Sequence, residues 1–208
     1  MTLDDVIQEV GSKIYEHPLS MIRSEADFQN LANPLHLIVL LLDCDTEIMM
    51  NGMLGFLENM TGRHLLPTIE ALRQIGAPAV AGRLQAVHDC MTRYGVTWQQ
   101  LRGDFEGGQQ YEITSFRKLH GSQLDSFASE VSTLGHGFSL FRTESGEAPY
   151  EALCTYMEGR LTELRGEIDK RQAQPSATPN SRPPSRFPVP PEIPAPDPLR
   201  SPSPGGCG

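Results

Sequence analysis

The sequence predicts an all-α fold, an irregular multi-helix bundle. Three features carry that prediction. Apolar residues recur at three-to-four spacing in one segment after another, helix start and stop signals bracket those segments, and no stretch of six or more residues shows strand-like alternation. The connections are short and no repeat of fixed period is present, which fits a single packed bundle.

The elements follow in order. Thr2 with Asp5 resembles a capping box, and Leu3, Val6, Ile7, Val10 and Ile14 form one face of a first helix that His17-Pro18 stops. Ser24 with Asp27 repeats the pattern and predicts a short helix near 25–31. Asn33-Pro34 is an N-cap followed by proline at the first helical position. The segment 35–50 is apolar nearly all round, so it is read as the central helix, ending at Asn51-Gly52 with Gly52 as a left-handed cap. A short helix over Met53–Glu58, closed by Asn59 and Gly62, comes next. His64–Ile75 is a helix stopped by Gly76. Ala77-Pro78 opens another that runs to Tyr94 and stops at Gly95, the two forming an αα-hairpin. Residues 103–110 read as a glycine-bearing loop. Helices are predicted over 111–119 and 123–134, with a break at Gly135-His136-Gly137. A last helix spans about 147–171, with Tyr150, Leu153, Cys154, Met157, Leu161, Leu164 and Ile168 as its apolar stripe.

Composition divides the 208 residues in two. The 37 residues from Gln172 to Gly208 hold 12 of the 17 prolines. This predicts one helical domain, residues 1–171, and a disordered proline-rich tail, residues 172–208. The tail contains a PxxP at Pro188-Val189-Pro190-Pro191, a pattern that SH3-like grooves bind, although a solvated tail is the ordinary reading. The chain's formal charge is −9, and the helical part alone carries 24 acids against 14 bases.

That charge disfavours direct nucleic-acid binding, which needs a basic surface. The longest unbroken apolar run, Leu37–Leu42, is far short of the ~20 residues a spanning helix needs, so no membrane role is expected. Acids at Asp4 and Asp5 stand where a signal or transit peptide carries bases, which points to the cytoplasm. Cys44, Cys90, Cys154 and Cys207 are widely spaced, as reduced thiols are, and give no disulfide framework.

Chemistry-bearing patterns are sparse. His88 and Cys90 fall on different faces of a helix, His64, His120 and His136 stand in separate segments, and no zinc spacing occurs. No Gly-x-Ser-x-Gly is present around Ser122, Ser139 or Ser145, and Cys44 and Cys154 lie on apolar stretches where a buried, inert thiol is expected. The glycines between 103 and 108 are accompanied by Asp104 and Glu106, which repel phosphate. The sequence thus calls for no cofactor, no metal and no catalytic residue. The acids remain. Glu147, Glu151 and Glu158 fall within about 40° of one another on the predicted last helix, with Asp169 and also Arg165 on the same row. Rises of about 6 Å and about 10 Å between the first three are comparable with phosphate spacing along one DNA strand. Asp43, Asp45 and Glu47 form a second candidate patch, lacking the layout of a calcium loop. An ordinary charged, solvated face is the simpler reading of both.

Residues 50–81 carry a family resemblance. Met50 to Gly62 is similar to the glycine-rich helix end of the DNA mimic protein 19 family, agreeing at Gly52, Phe56, Asn59 and Gly62 and differing at Met50, Asn51, Met53 and Gly55. Ile69 to Ala77 matches the family's second segment closely, through Ala71, Leu72, Ile75, Gly76 and Ala77, and Ala81 continues it. Gln123-Leu124-Asp125-Ser126-Phe127 is similar to the family's Leu-Asp-x-x-Phe helix, with one residue in place of two before the Phe. The resemblance spans about residues 30–135. It implies an all-α, dimer-forming, cytoplasmic bacterial protein without catalytic activity, of a kind that imitates DNA and occupies the DNA-binding face of a transcription repressor. The acidic surface is not part of the family's motif, so the resemblance assigns no acid.

Three functional readings follow. The first is a non-enzymatic acidic interaction protein, a DNA mimic whose partner is a basic DNA-binding protein. The second is a helical scaffold that binds a protein partner through an apolar patch. The third is an enzyme whose site is assembled from distant residues.

Overall fold

The computed structural model describes residues 3–108, 115–141 and 146–173. These belong to the first of two units into which the chain divides, Met1–Pro175 and Ser176–Gly208. The predicted tail beyond residue 173, its PxxP, Cys207 and Ser145 lie outside the described residues; Gln172, its first residue, ends the last helix.

The described residues are helical and contain no strand. Helix α1 spans Leu3–Lys13 and buries Val6, Ile7 and Val10. A 3₁₀ turn, Leu19–Ser24, follows it. Helix α2, Pro34–Glu58, is the centre of the molecule. Its start is local chemistry: the Asn33 side-chain oxygen accepts the Leu35 and His36 N–H groups at 3.0 and 3.4 Å, and Pro34 presets the first helical φ. From Leu35 to Asp45 every residue is buried, because other elements cover this helix on all sides. The chain does not stop at Asn51-Gly52 as predicted. Gly52 takes φ +70°, ψ 177°, outside the left-handed helical cap, and the helix resumes beyond it to Glu58. Glycine supplies a kink here instead of an end.

Helices α3, Leu65–Gln74, and α4, Pro78–Tyr94, form the predicted hairpin. Both end in a Schellman motif. At α3 the Ala77 N–H reaches the Leu72 carbonyl at 2.9 Å, and at α4 the Val96 N–H reaches the Met91 carbonyl at 2.9 Å. Each turn needs a residue of positive φ, met by Gly76 at +86° and Gly95 at +66°. The remaining helices are α5, Trp98–Gly107; α6, Phe116–His120; α7, Asp125–Gly135; α8, Pro149–Glu158; and α9, Leu161–Gln172. Helix α2 packs on α3, α5, α7 and α9, α4 packs on α3 and α7, and α1 packs on α2 and α8. No helix is long and apolar enough to cross a membrane among the described residues.

Three further predicted elements need correction. No helix forms over 25–31. Glu25 is drawn inward to Arg171 and His36, and Phe28 packs edge-on against the His36 and His64 rings, so the segment is a series of turns. The loop predicted at 103–110 is helical through Gly107. Thr97 caps α5 by accepting the Gln100 N–H, and Arg102 pairs with Glu106 one turn on, which offsets the glycine content. The single helix over 147–171 is two helices, broken at Gly159-Arg160. Its apolar stripe survives the break, since Leu153, Met157, Leu164 and Ile168 are all buried. Of the helix predicted over 111–119, residues 116–119 fall in α6 and 111–114 lie outside the described residues.

The family-motif residues are structural. Phe56, Ala71, Leu72, Ile75 and Ala77 are in the core. Gly62 sits where a Cβ would stand 2.7 Å from the Phe56 and Leu57 carbonyl oxygens. Asn59 donates its side-chain amide to Glu47 at 2.6 Å, and its carbonyl accepts the Trp98 indole N–H at 2.9 Å.

His64 gives the fold a pH dependence. It is buried against Phe28, and Arg63 Nε donates to its Nε2 at 2.8 Å, so the ring is neutral. Burial, with the Arg63 and Arg23 charges beside it, lowers its pKa to about 4. Below the ordinary histidine value near 6.5 the unfolded chain takes up a proton that the folded chain refuses. Stability is therefore full above about pH 6.5 and falls as pH drops toward 4. His64→Gln is expected to flatten this part of the profile, read as the difference between variant and parent in urea unfolding from pH 7 to pH 4.

Candidate functional site

The predicted acids have different fates. Asp43 is 5 % exposed and Asp45 7 %. Asp43 lies in a two-pronged pair with Arg23, Oδ2 to Nε at 2.7 Å and Oδ1 to Nη2 at 2.5 Å, and Arg23 also donates to the Ile14 carbonyl. Asp45 accepts the Leu140 N–H at 2.7 Å, which anchors the segment after α7 to α2. Burial pushes both carboxyls above the usual range, opposed by Arg23 at Asp43 and by the Leu140 N–H at Asp45. Glu47 is half-buried and accepts the Asn51 and Asn59 amides. The patch predicted at Asp43, Asp45 and Glu47 is therefore not a solvent-facing array; these carboxylates hold the interior together.

Glu147 is likewise absent from the predicted row. It precedes α8, and its two oxygens accept the Ala79 and Val80 N–H groups at 2.9 Å each. Helix α4 has no side-chain cap of its own at Ala77, so a residue far along the chain caps it, with the carboxylate placed at the positive end of the helix. Glu147→Ala is expected to lower stability by about 1–2 kcal/mol in denaturant unfolding.

Glu151 and Glu158 remain. Both are exposed on α8, seven residues apart and hence on one face with a rise of about 10 Å. Neither forms an ion pair among the described residues. Helix α1 lies against α8 and adds Asp4, whose carboxylate accepts the Tyr150 hydroxyl. The half-buried Cys154 lies between them along the helix: burial raises its thiol pKa, the Tyr150 hydroxyl opposes the rise, and the Asp4, Glu158 and Glu151 charges add to it. A thiol in that field is a poor nucleophile. Asp5 is also exposed in the first turn of α1. The candidate site is this acidic face, Asp4, Glu151 and Glu158 from two packed helices. Its sequence signal was the seven-residue spacing on α8 and the acids opening α1; their meeting depends on tertiary packing. Asp169 is exposed on α9, beyond the break, and does not extend the row as one helix.

Most bases of the helical unit are spent elsewhere. Lys13, Arg23, Arg73, Arg93, Arg102, Arg117, Arg160, Lys170 and Arg171 each pair with a carboxylate. Glu167, held by Lys170 and Arg171, has its pKa lowered to about 2.

Two histidine clusters were not evident in the sequence. Glu25, Asp27 and His36 bring ligand-type atoms within 4.8 Å of one another. The place a cation would take is held by Arg171, whose Nη2 lies 2.8 Å from Glu25 Oε2 and 3.2 Å from His36 Nε2. The cluster locks α9 onto α2. Buried His120 lies between Glu58, 2.7 Å from Nε2, and Asp104, 2.9 Å from Nδ1. Carboxylates thus face both ring nitrogens and tie α2, α5 and α6 together through one side chain.

A family model described as DMP19-like protein matches residues 29–158, more than half of the chain. The chain belongs to that family. The match includes Glu151 and Glu158 and leaves out α1. No curated protein and no solved structure matches.

Proposed function

We propose that this protein is a non-enzymatic, cytoplasmic DNA mimic: its acidic face occupies the DNA-binding surface of a basic DNA-binding protein. The observation that carries the reading is the grouping of Asp4, Glu151 and Glu158 on one exposed face built from two packed helices. Membership of the DMP19-like family supports it. The rise of about 10 Å between Glu151 and Glu158 equals about three base-pair steps of a duplex, so a surface that expects phosphates meets charge at a matching interval. Fixed acids on a rigid helix attract such a partner without the cost of ordering a loop, and the attraction weakens as salt screens it.

The test is affinity capture from cell lysate by the full chain at low and high salt. A DNA-binding protein is expected at low salt, released at high salt, and not captured by Glu151→Lys/Glu158→Lys. A partner held equally at both salts and by the variant overturns this reading. A second reading has its own observation. Leu66 is half exposed at the rim of a cavity of about 550 Å³ that also contains Leu65, Met91 and Trp98. A scaffold binding through that apolar surface would give the salt-insensitive result.

A further inference from the structure

The geometry points to a second recognition site: the cavity between the end of α2 and the α5 and α6 helices takes the guanidinium of an arginine presented by a protein partner. The cavity has a volume of about 530 Å³, and its lining includes Asn51, Glu58, Asn59, Phe105 and Phe116. Its polar side chains have acceptors to offer. The carboxylate of Glu47 can only accept, and both Asn51 and Asn59 turn their amide nitrogens to its Oε2, at 3.0 and 2.6 Å. With each nitrogen engaged by Glu47, the amide oxygen is what either side chain has left to offer a ligand. Glu58 is fixed through Oε1 by His120 at 2.7 Å, with no partner on Oε2 among the described residues.

Two phenyl rings complete the wall. Phe105 is half exposed and already carries one guanidinium, the Arg102 Cζ standing 5.3 Å from its centroid. Carboxylate, amide oxygens and ring faces together match a planar cation with several N–H groups. A phosphate or carboxylate ligand would be repelled by Glu58. A neutral apolar ligand would cover the Glu58 Oε2 without giving it a hydrogen bond. Arginine fits better than lysine, because a guanidinium stacks on a ring while its edge reaches the oxygens. This site is separate from the acidic face of α1 and α8 and does not depend on it.

The probe is N-acetyl-L-arginine amide, titrated into the full chain and followed by the Phe105 and Phe116 ring resonances, with the isosteric but neutral N-acetyl-L-citrulline amide as control. Saturable binding on the order of millimolar is expected for the arginine probe, at least tenfold weaker binding for citrulline, and at least a tenfold loss in Phe105→Ala. Glu58→Gln is expected to lose as much. Since Glu58 also holds buried His120, Phe105→Ala on the surface carries the test if Glu58→Gln does not fold. Glu151→Lys/Glu158→Lys leaves arginine binding unchanged, so failure here is distinct from failure of the mimic reading. Unmoved rings, equal binding of the two probes, or undiminished binding by Phe105→Ala overturns the assignment.

Discussion

Arg23→Ala is expected to destabilise the fold by about 3 kcal/mol at pH 7 and far less at pH 4. The substitution leaves Asp43 on the central helix with no counter-charge, in a place where only 5 % of the residue is exposed. A lone carboxylate there carries most of its desolvation cost. Burial already raises the Asp43 pKa with Arg23 present, and Arg23 is the group that opposes the rise. Without it the folded pKa moves further above the unfolded value. A folded pKa that is raised gives stability that is full below the unfolded value near 4 and is lost as pH climbs through the folded pKa. The penalty is therefore large at neutral pH and small in acid. Urea unfolding of parent and variant at the two pH values measures it. Equal penalties would mean that Arg23 acts through its Ile14 hydrogen bond and its packing on Tyr15 instead of its charge. Replacing both partners by apolar residues, Arg23→Met/Asp43→Leu, is expected to recover most of the loss.

Glu151→Lys/Glu158→Lys is expected to weaken binding of a basic partner by about 100-fold or more at low salt, with the difference shrinking as salt rises. Both side chains are exposed and unpaired among the described residues, so the folded chain loses no contact and its melting behaviour stays close to the parent's. The effect comes from turning two attractions into two repulsions at the centre of the face. The neutral pair Glu151→Gln/Glu158→Gln removes only the attraction and is expected to fall between parent and reversal. Glu147→Ala makes the useful contrast: it costs stability through the α4 cap while leaving the acidic face in place.

The sequence was most informative where the cause of structure is local. Asn33-Pro34 starts α2, Gly76 and Gly95 end α3 and α4, and each works through residues within a turn. The apolar stripe from Leu153 to Ile168 named the buried side of α8 and α9 even though the helix breaks between them. It was least informative where a charge finds its partner across the fold. Asp43 and Asp45 read as a surface patch because acids are usually solvated, but a base twenty positions earlier and a backbone N–H ninety-five positions later bring them inside. Glu147 fitted a helical row on paper and caps a helix sixty-eight residues away instead. Glu151 and Glu158 survived because their relation needs only one helix. Asp4 joined them because α1 packs on α8, a fact of tertiary structure.

Mimicry makes one demand that no other acidic interaction makes: the partner must not hold DNA and this chain at once. With the captured DNA-binding protein purified, a labelled operator duplex is titrated against the full chain at fixed low salt, and the species present are resolved by sedimentation. The chain is expected to displace the duplex completely with no ternary complex, and Glu151→Lys/Glu158→Lys to displace none at the same concentration. A stable complex containing partner, duplex and this chain together would contradict the reading of the acidic face as a substitute for DNA.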